Sequence, residues 1–412
     1  MEVRLLERVG KTQAELLAQV GLLARELGLS AYLVGGAVRD ALLGCSSLDL
    51  DVTVEGDAAS FAARIAETIG GSLISHDRFG TAVLQLEDLH LDFVTARRET
   101  YLQPGALPVV EPASIAEDLL RRDFAVNALA IRLDRDADRL FDPLGGYHDL
   151  QAGLLRGLHE RTFIDDPTRI IRAARYVARF CWQVEPQTLK WLLAAVQANT
   201  LSTVTLPRLW GELQRLLLEQ SAPQAVELLR CWGALDQLGL GHGCPTDVQA
   251  AWQAAEALKA SAPDRSLAAL AVLTGPRADQ MAAGWGLTAG ERKAVVAASE
   301  AISAPPAAFI ATEALNSQLR RLGDALPLAA LLAVWARIPA ARRNIERFRD
   351  LQNVRLDLNG EDLQAEGFAP SPGFRPALEA ALAAKLDRGA GRASQLAAAL
   401  SVLRDWHKEQ EL

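Results

Sequence analysis

Residues 32–54 read YLVGGAVRDALLGCSSLDLDVTV. The apolar run Ala31–Val34 predicts a strand that ends at Gly35 and Gly36, and the residues that follow, Ala37–Leu43, predict a helix. A second apolar run after this helix predicts another strand. A strand, a glycine turn, a helix and a strand in this order predict an α/β unit near the start of the chain.

Two features of this stretch suit a nucleoside triphosphate. Gly35 and Gly36 let the backbone approach a phosphate closely, the helix that follows directs free N–H groups towards it, and Arg39 adds a permanent positive charge. Asp49 and Asp51 are two residues apart on a strand, so both carboxylates lie on one face, where they suit Mg²⁺. Each feature alone is more often a tight turn or a solvated strand edge. Together they match what nucleotidyl transfer requires.

The composition predicts a globular protein of two or three domains. The chain has 412 residues, of which 50% are hydrophobic and 23% are charged. Its four cysteines form no C-x-x-C pair, which argues against a zinc site or a disulfide framework. The net charge of −8 requires any RNA contact to use local basic patches. No apolar run of about 18 residues and no signal-peptide pattern is found, so we expect a cytoplasmic protein with no membrane partner.

Further elements of the predicted head follow the first stretch. They are a helix over Ala58–Ile69 and strands over Ser72–Ser75, Ala82–Leu86 and Leu89–Ala96. The last strand carries Asp92 between two apolar residues, and the sheet could bring this carboxylate beside Asp49 and Asp51. A single aspartate on a strand is otherwise more often an edge residue.

Two more motifs follow the predicted strands. Arg121–Ala130 reads RRDFAVNALA, in which Arg122 suits a phosphate, while Asp123 and Asn127, four apart on one face of a predicted helix, suit ribose hydroxyls. The alternative is a surface Arg–Asp pair at a helix start. Phe141–Leu150 reads FDPLGGYHDL, and we expect it to form a capped turn with a structural role.

The last motif lies just before a predicted amphipathic helix. Asp166 precedes a proline, which predicts a cap or first-turn residue. Arg169, Arg172 and Arg175 follow at steps of three, so they form a polar stripe with Asp166 on one helix face. A solvated arginine face is the alternative, and for three arginines on a helix it is the more common one.

These motifs resemble, in the same order, those of the class II tRNA nucleotidyltransferases and bacterial poly(A) polymerases, which belong to the polymerase-β-like nucleotidyltransferases. The matching patterns are G-G-x-V-R-D, L-L-G, D-x-D, R-R-D-F-x-x-N-A-x-A, D-P-x-x-G-x-x-D-L and E-D-x-x-R-x-x-R-x-x-R. Asp165 stands where many members have Glu. The resemblance is specific over Ala31–Phe180 and architectural beyond it. It implies an α+β head with a mixed sheet and helices, followed by an all-α neck, body and tail.

The resemblance also implies roles for individual residues. The catalytic residues would be Asp49, Asp51 and Asp92, of which Asp49 and Asp51 would bind Mg²⁺. Asp166 and Arg169 would match the edge of cytosine or adenine, which an acceptor beside a fork of donors can do while refusing guanine and uracil. The full set of nucleotide-binding residues would be Gly35, Gly36, Arg39, Arg122, Asp123, Asn127, Asp166, Arg169, Arg172 and Arg175.

The segment Arg97–Pro112 is rich in proline, polar and aperiodic, so it predicts a long loop. In the resembling enzymes this place holds a flexible loop that helps to switch the incoming nucleotide from C to A, and it is shortened in those that add only CC. Here it has full length. The predicted domains are the nucleotidyltransferase head 1–150, the helical neck 151–235 and the helical body and tail 236–412. A basic cluster in the body, made by Arg342, Arg343, Arg347 and Arg349, could touch tRNA or be a solvated helix face.

The leading hypothesis is an enzyme that adds C and/or A from CTP and ATP to the 3′ end of tRNA, with Mg²⁺ as the cofactor. A specialist that adds only A or only CC, or a poly(A) polymerase, shares the same head motifs. A different class is an inactive RNA-binding helical protein with a degenerate head. Measured use of CTP, ATP and tRNA separates these hypotheses.

Overall fold

The computed structural model describes residues 5–45, 49–76, 80–86, 89–135 and 139–410. The chain divides into two compact units. The first consists of Met1–Glu212 and Leu228–Gln237, and the second of Leu213–Glu227 and Leu238–Leu412. The predicted boundaries of head, neck and body stay predictions, because this division groups most of the first two segments together.

A mixed sheet forms the centre of the first unit. The strands are β1 (Ser30–Val34), β2 (Asp49–Glu55), β3 (Ser72–His76), β4 (Thr81–Leu86), β5 (Leu89–Thr95), β6 (Arg97–Thr100), β7 (Val109–Pro112), β8 (Ala130–Arg132), β9 (Leu140–Phe141), β10 (Leu154–Leu155) and β11 (Gln183–Val184). Among the described residues, seven of them pair in the order β3-β4-β5-β2-β1-β8-β9. Strands β2 and β5 are parallel, and the other neighbours in this sheet are antiparallel.

Alternation along β2 separates a core face from a polar face. Leu50, Val52 and Val54 are buried with Leu33 and Phe93 in the main apolar core. The residues between them point to the opposite side of the sheet, because successive side chains of a strand alternate. The carboxylates of β2 therefore lie on the face away from this core.

The helices of the chain up to residue 237 are α1 (Lys11–Glu26), α2 (Gly36–Leu42), α3 (Ala58–Ile69), α4 (Ile115–Leu120), α5 (Gly146–Ala152), α6 (Thr162–Asp165), α7 (Thr168–Phe180), α8 (Pro186–Gln197), α9 (Leu206–Leu218), α10 (Ala222–Cys231) and α11 (Ala234–Gln237). The prediction for α3 is confirmed. Asp57 accepts the N–H groups of Ala59 and Ser60 at 3.1 Å, which fixes the start of α3, and Gly70 with φ +81° ends it.

The prediction of a loop over Arg97–Pro112 is wrong at both ends. Strands β6 and β7 pair antiparallel, with Arg97 opposite Pro112 and Thr100 opposite Val109. We call this hairpin the ribbon. Each strand has only four residues, and charged side chains dominate the first of them, so the sequence carries no apolar alternation to indicate a strand.

The second unit is helical in its described residues. Its helices after residue 238 are α12 (Pro245–Leu258), α13 (Ala262–Thr274), α14 (Ala278–Ala282), α15 (Ala289–Ser303), α16 (Ala307–Ile310), α17 (Asn316–Ala325), α18 (Leu328–Arg337), α19 (Arg342–Leu351), α20 (Gly360–Ala365), α21 (Phe374–Arg388) and α22 (Arg392–Gln410). A mixed-sheet head followed by helices confirms the predicted fold class. In the part of the chain that the structure describes, no helix has the length and hydropathy needed to span a bilayer.

The predicted basic cluster of the body is largely engaged within the second unit. Arg342 donates to the carbonyl oxygen of Trp335 at 3.0 Å and stacks on that ring. Arg347 donates to Asn316, at 2.7 Å, and Arg349 donates to a carbonyl oxygen of α12. Three of the four guanidinium groups therefore have partners within the unit, and contact of this cluster with tRNA stays a prediction.

Candidate active site

Three carboxylates meet on the polar face of the sheet. In the parallel pairing of β2 with β5, Asp51 stands opposite Asp92, and Asp49 stands opposite His90. Asp49 and Asp51 share one face because they are two residues apart. The predicted placement of Asp92 beside them is confirmed, and its role in the chemistry stays a prediction.

These carboxylates disfavour one another's charge. Burial raises the pKa of Asp51, the charges of Asp92 and Asp49 raise it further, and the guanidinium of Arg122 opposes the change. Burial also raises the pKa of Asp92, with a further contribution from Asp49. A divalent cation between such oxygens would relieve this repulsion.

The donor set fits a small, hard cation. Among the described residues, no group of three His, Cys, Asp or Glu side chains closes round a metal site. Mg²⁺ does not need such a group, since it is commonly held by one or two carboxylates and completes its shell with water and substrate phosphate oxygens. Asp49 and Asp51, on one face of β2, supply that pair.

The glycine turn brings Arg122 to the carboxylates. Gly35 has φ +71°, and a Cβ at this position would lie 2.6 Å from Nη1 of Arg122 and 3.8 Å from Oδ2 of Asp51. Glycine is required both by the backbone conformation and by this close approach. The turn thus holds a permanent positive charge next to the expected metal ligands.

Arg39 lies in the wall of the site with internal partners. Its guanidinium is 4% exposed, donates to Oδ1 of Asn127 at 2.6 Å and pairs with Asp40 at 2.7 Å. It also lies over the rings of Tyr176 and Phe180, at 5.2 and 5.0 Å from their centroids. These contacts hold the side chain in the wall of the site, and its contact with a phosphate stays a prediction.

A buried carboxylate that the sequence analysis missed holds two arginines. Asp118 on α4 is fully buried and accepts from Nε of Arg121 at 2.9 Å and from Nη2 of Arg122 at 3.0 Å. It also accepts the backbone N–H of Arg97 in the ribbon at 3.2 Å. The spacing of three and four residues between Asp118 and the arginines was the available signal.

The prediction of a helix through Asp123 and Asn127 is wrong. A 3₁₀ turn over Ala125–Asn127 replaces it, yet the two side chains still meet, with Nδ2 of Asn127 donating to Oδ1 of Asp123 at 3.0 Å. The other oxygen of Asp123 accepts two bonds from Arg172, at 2.8 and 2.7 Å. Burial alone would raise the pKa of Asp123, but the charge of Arg172 and the bond from Asn127 lower it to about 2.

The three arginines of the predicted stripe lie on α7, whereas Asp166 precedes the helix. Asp166 stands before Pro167, the N-cap residue of α7, and its Oδ1 accepts the backbone N–H of Thr168 at 3.2 Å. Arg169 is buried, and its terminal nitrogens donate to Thr162 and to the carbonyl oxygen of Arg121, both at 2.7 Å. Arg175 lies 4.7 Å from the centroid of the Tyr176 ring.

Most of these side chains line one polar cavity of about 480 Å³. The predicted residues that line it are Gly35, Gly36, Arg39, Asp51, Arg122, Asp123, Asn127, Asp166, Arg169 and Arg172. Asp49, Asp92 and Arg175 do not line it. The lining residues that sequence reasoning missed are Arg97, Glu99, Tyr101, Pro108, Arg121, Tyr176 and Arg208. The ribbon and α9 supply several of these, and no local pattern connects those segments to the motifs.

The chain is similar in sequence to known nucleotide-adding proteins. The family profile described as the Poly A polymerase head domain matches residues 31–156. The A-adding tRNA nucleotidyltransferase of Halalkalibacterium halodurans is 44% identical over 213 residues, which are 51% of this chain and 50% of that protein. The CC-adding tRNA nucleotidyltransferase of Deinococcus radiodurans is 44% identical over 199 residues, 48% of this chain and 52% of that protein. The match thus spans about half the length of both relatives.

A solved structure extends the similarity to nearly the whole chain. The Thermotoga maritima CCA-adding enzyme, in complex with a tRNA, superposes with a TM-score of 0.76 at 27% identity. The superposition covers 97% of both chains. From the head profile, the relatives and this fold, the chain belongs to the family of class II tRNA nucleotidyltransferases and bacterial poly(A) polymerases.

Proposed function

We propose that this chain adds nucleotides from CTP and ATP to the 3′ end of tRNA without a nucleic-acid template. The observation that carries the proposal is the cavity lined by Asp166, which precedes α7, by Arg169 of α7, and by the glycine turn and Asp51. In this proposal the triphosphate lies beside the glycine turn and Asp51, and the base lies beside Asp166 and Arg169. The proposed location is the cytoplasm, where tRNA, CTP and ATP occur together.

In the proposed reaction, Asp49 and Asp51 are the residues that would hold Mg²⁺ ions. When bound, these ions supply charge neutralisation for the triphosphate and activation of the RNA 3′ hydroxyl. Asp92 stands opposite Asp51 in the sheet, in the same cluster of three carboxylates, and accepts the proton of that hydroxyl. The 3′ oxygen then bonds to the α-phosphorus of the nucleotide, the bond from this phosphorus to the β-phosphate breaks, and pyrophosphate leaves. Arg122, held by Asp118 above Gly35, stabilises negative charge that develops on the phosphate.

In this proposal, Asp166 and Arg169 select the base. Asp166 offers a carboxylate oxygen to the exocyclic amine of cytosine or adenine, and Arg169 offers donors to a ring nitrogen. Uracil and guanine carry a carbonyl oxygen where the amine would stand, which opposes the carboxylate. Asp123 keeps Arg172 in place because its Oδ2 accepts hydrogen bonds from two nitrogens of the guanidinium. Arg172 lines the cavity, where it would contact the triphosphate.

The extent of addition is the finer part of the proposal. A-adding and CC-adding relatives are equally similar to this chain, at 44% identity, so identity does not separate the products. The ribbon segment Arg97–Pro112 is long, as in the family members that add the terminal A. We therefore propose addition of the terminal A, as a complete CCA-adding enzyme in preference to an A-adding specialist.

The test uses three tRNA substrates, which end at the discriminator base, at C and at CC. Each is incubated with Mg²⁺ and CTP, ATP or both, and the product lengths are read on a gel. A complete enzyme extends all three to CCA and stops there, and excess EDTA abolishes extension. Arrest at CC with both nucleotides would refute addition of the terminal A.

The same experiment separates the other functions. A poly(A) polymerase, which the head profile keeps in consideration, gives long ladders with ATP alone and ignores CTP. An A-adding specialist extends only the tRNA that ends at CC. An inactive RNA-binding protein releases no pyrophosphate from any combination, and that result would refute the proposal as a whole.

A further inference from the structure

We propose that Arg208 is a positioning residue that fixes the base-reading carboxylate of Asp166 and joins it to the turn of the ribbon at Gly105. Selectivity among the four nucleotides then depends on this bridge. The inference rests on the proposed function, in which Asp166 reads the base. Arg208 belongs to α9 and to none of the motifs that the sequence analysis identified.

One guanidinium group connects two distant segments. Nη2 of Arg208 donates to Oδ1 of Asp166 at 3.1 Å, and Nη1 donates to the carbonyl oxygen of Gly105 at 2.5 Å. Arg208 and Asp166 are 27% and 20% exposed, so the pair is partly shielded from solvent and lies in the cavity wall. Such a charge-assisted bond constrains orientation more than an exposed pair does.

The bridge determines which oxygen of Asp166 remains for a ligand. Oδ1 accepts three bonds, from the backbone N–H of Thr168 at 3.2 Å, from its hydroxyl at 2.7 Å and from Arg208. Within the described residues, no hydrogen bond to Oδ2 is found. With Oδ1 anchored, Oδ2 has a fixed direction and is the acceptor left for the amine of cytosine or adenine.

The turn of the ribbon is itself docked at backbone level. Gly105 has φ +70°, and its N–H donates to the carbonyl oxygen of Asp165 at 3.2 Å. A Cβ on Gly105 would lie 2.8 Å from the carbonyl oxygen of Thr203, which cannot move aside as a flexible side chain could. The turn therefore contacts both Arg208 and the residue before Asp166, and only glycine permits this approach.

Loss of the bridge leaves Asp166 held by Thr168 alone. A carboxylate that can rotate also accepts the ring N–H of uracil or guanine. The enzyme would then bind the incorrect nucleotides more tightly and the correct nucleotides less tightly. Lysine cannot restore the bridge, because its single ammonium is a point donor and not a planar fork. Selectivity and orientation are affected, while the carboxylates on β2 are not.

The first test measures kcat and KM for CTP, ATP, UTP and GTP on tRNA with Arg208→Lys and the wild type. We expect the preference for CTP and ATP over UTP and GTP to fall about tenfold or more, mainly through KM for the correct nucleotides. A merely structural role would lower kcat for all four nucleotides in the same proportion. That uniform result would overturn the inference.

The second test perturbs the other end of the bridge. Gly105→Ala prevents docking of the turn, and Gly28→Ala is the matched control, since Gly28 also has φ +70° but no atom within 4 Å of an added Cβ. We expect Gly105→Ala to lower selectivity and Gly28→Ala to preserve it. Both replacements break the same bridge. The double variant Gly105→Ala, Arg208→Lys should therefore be no less selective than the less selective of the two single variants.

The outcomes separate the two proposals. Additive losses in the double variant, or wild-type selectivity in both single variants, would overturn the bridge while the wild type still extends tRNA. If Arg208→Lys fails to fold, Gly105→Ala and its control decide. No incorporation by the wild type itself would refute the proposed function, and this inference with it.

Discussion

Asp51 combines the features expected of a metal ligand at the scale of one residue. It is half-buried on β2 beside Asp92, and its surroundings already disfavour its charge. We expect Asp51→Asn or Asp49→Asn to lower incorporation by at least several hundredfold without a loss of thermal stability. Extension assays and thermal melting measure the two effects. Asp405→Asn, on the exposed surface of α22, is the control, and near-normal turnover in the β2 variants would contradict the assignment.

Asp123 makes stability depend on pH. Its folded pKa of about 2 lies below the value near 3.9 of an unfolded chain, so its contribution is complete above pH 3.9 and is lost as the pH falls through about 2. The full contribution is roughly 2–3 kcal/mol, of which roughly 1 kcal/mol disappears between pH 5 and pH 3. Denaturant unfolding at pH 5 and pH 3 tests this with Asp123→Asn, whose stability should change less over the interval. Equal losses in both proteins would show that Asp123 does not titrate as described.

Individual residue roles were only partly predictable from the sequence. The spacing of Asp49 and Asp51 fixes their common face in any strand, so their geometry followed from local rules. The contact of Arg208 with Asp166 joins residues 42 apart in the chain, and only tertiary packing creates it. Arg39 and Asp123 were expected to face a ligand because of their charge, but their burial depends on neighbours that no local pattern identifies.

At the scale of elements, the sequence predicts α3 and β5 well because their apolar periodicity is strong. It fails for the ribbon, since β6 and β7 are short, β6 is mostly charged, and cross-strand pairs such as Arg98 with Glu111 at 2.8 Å stabilise the two strands. It fails again at the Asp123 to Asn127 turn, where a four-residue spacing suggested a helix and a 3₁₀ turn forms instead. Hydrophobic periodicity therefore does not predict short elements that are stabilised by contacts between distant parts of the chain.

Helix α19 offers a prediction at this scale. Arg347 donates to Asn316 and Asn344, at 2.7 and 3.0 Å, whereas Arg343 is exposed. We expect Arg347→Gln to lower the unfolding free energy by about 1–3 kcal/mol and Arg343→Gln to change it by less than about 0.5 kcal/mol. Urea titrations of both variants measure the difference. Equal stabilities would mean that the Arg347 contacts contribute nothing to the unit.

At the scale of the whole molecule, the chain passes between its two units at residues 212/213, 227/228 and 237/238. The sequence suggested domains that follow one another along the chain. Changes in composition indicate the order of segments, but they do not show that the chain returns from one unit to the other. Leu213, Leu216 and Leu217 are fully buried, and they belong to the second unit although residues on both sides of their segment belong to the first.

This division predicts that a single cut cannot release a well-behaved head. A fragment of residues 1–237 retains these three leucines but loses residues 238–412, which form most of their unit. We expect it to aggregate, since each leucine loses about 1.5–3 kcal/mol of burial when it is exposed. Replacing all three by Gln should restore a monodisperse fragment, as judged by size-exclusion chromatography, and should destabilise the full chain. A monodisperse, cooperatively melting fragment without these replacements would contradict the division, because its apolar side chains would then be covered from within residues 1–237.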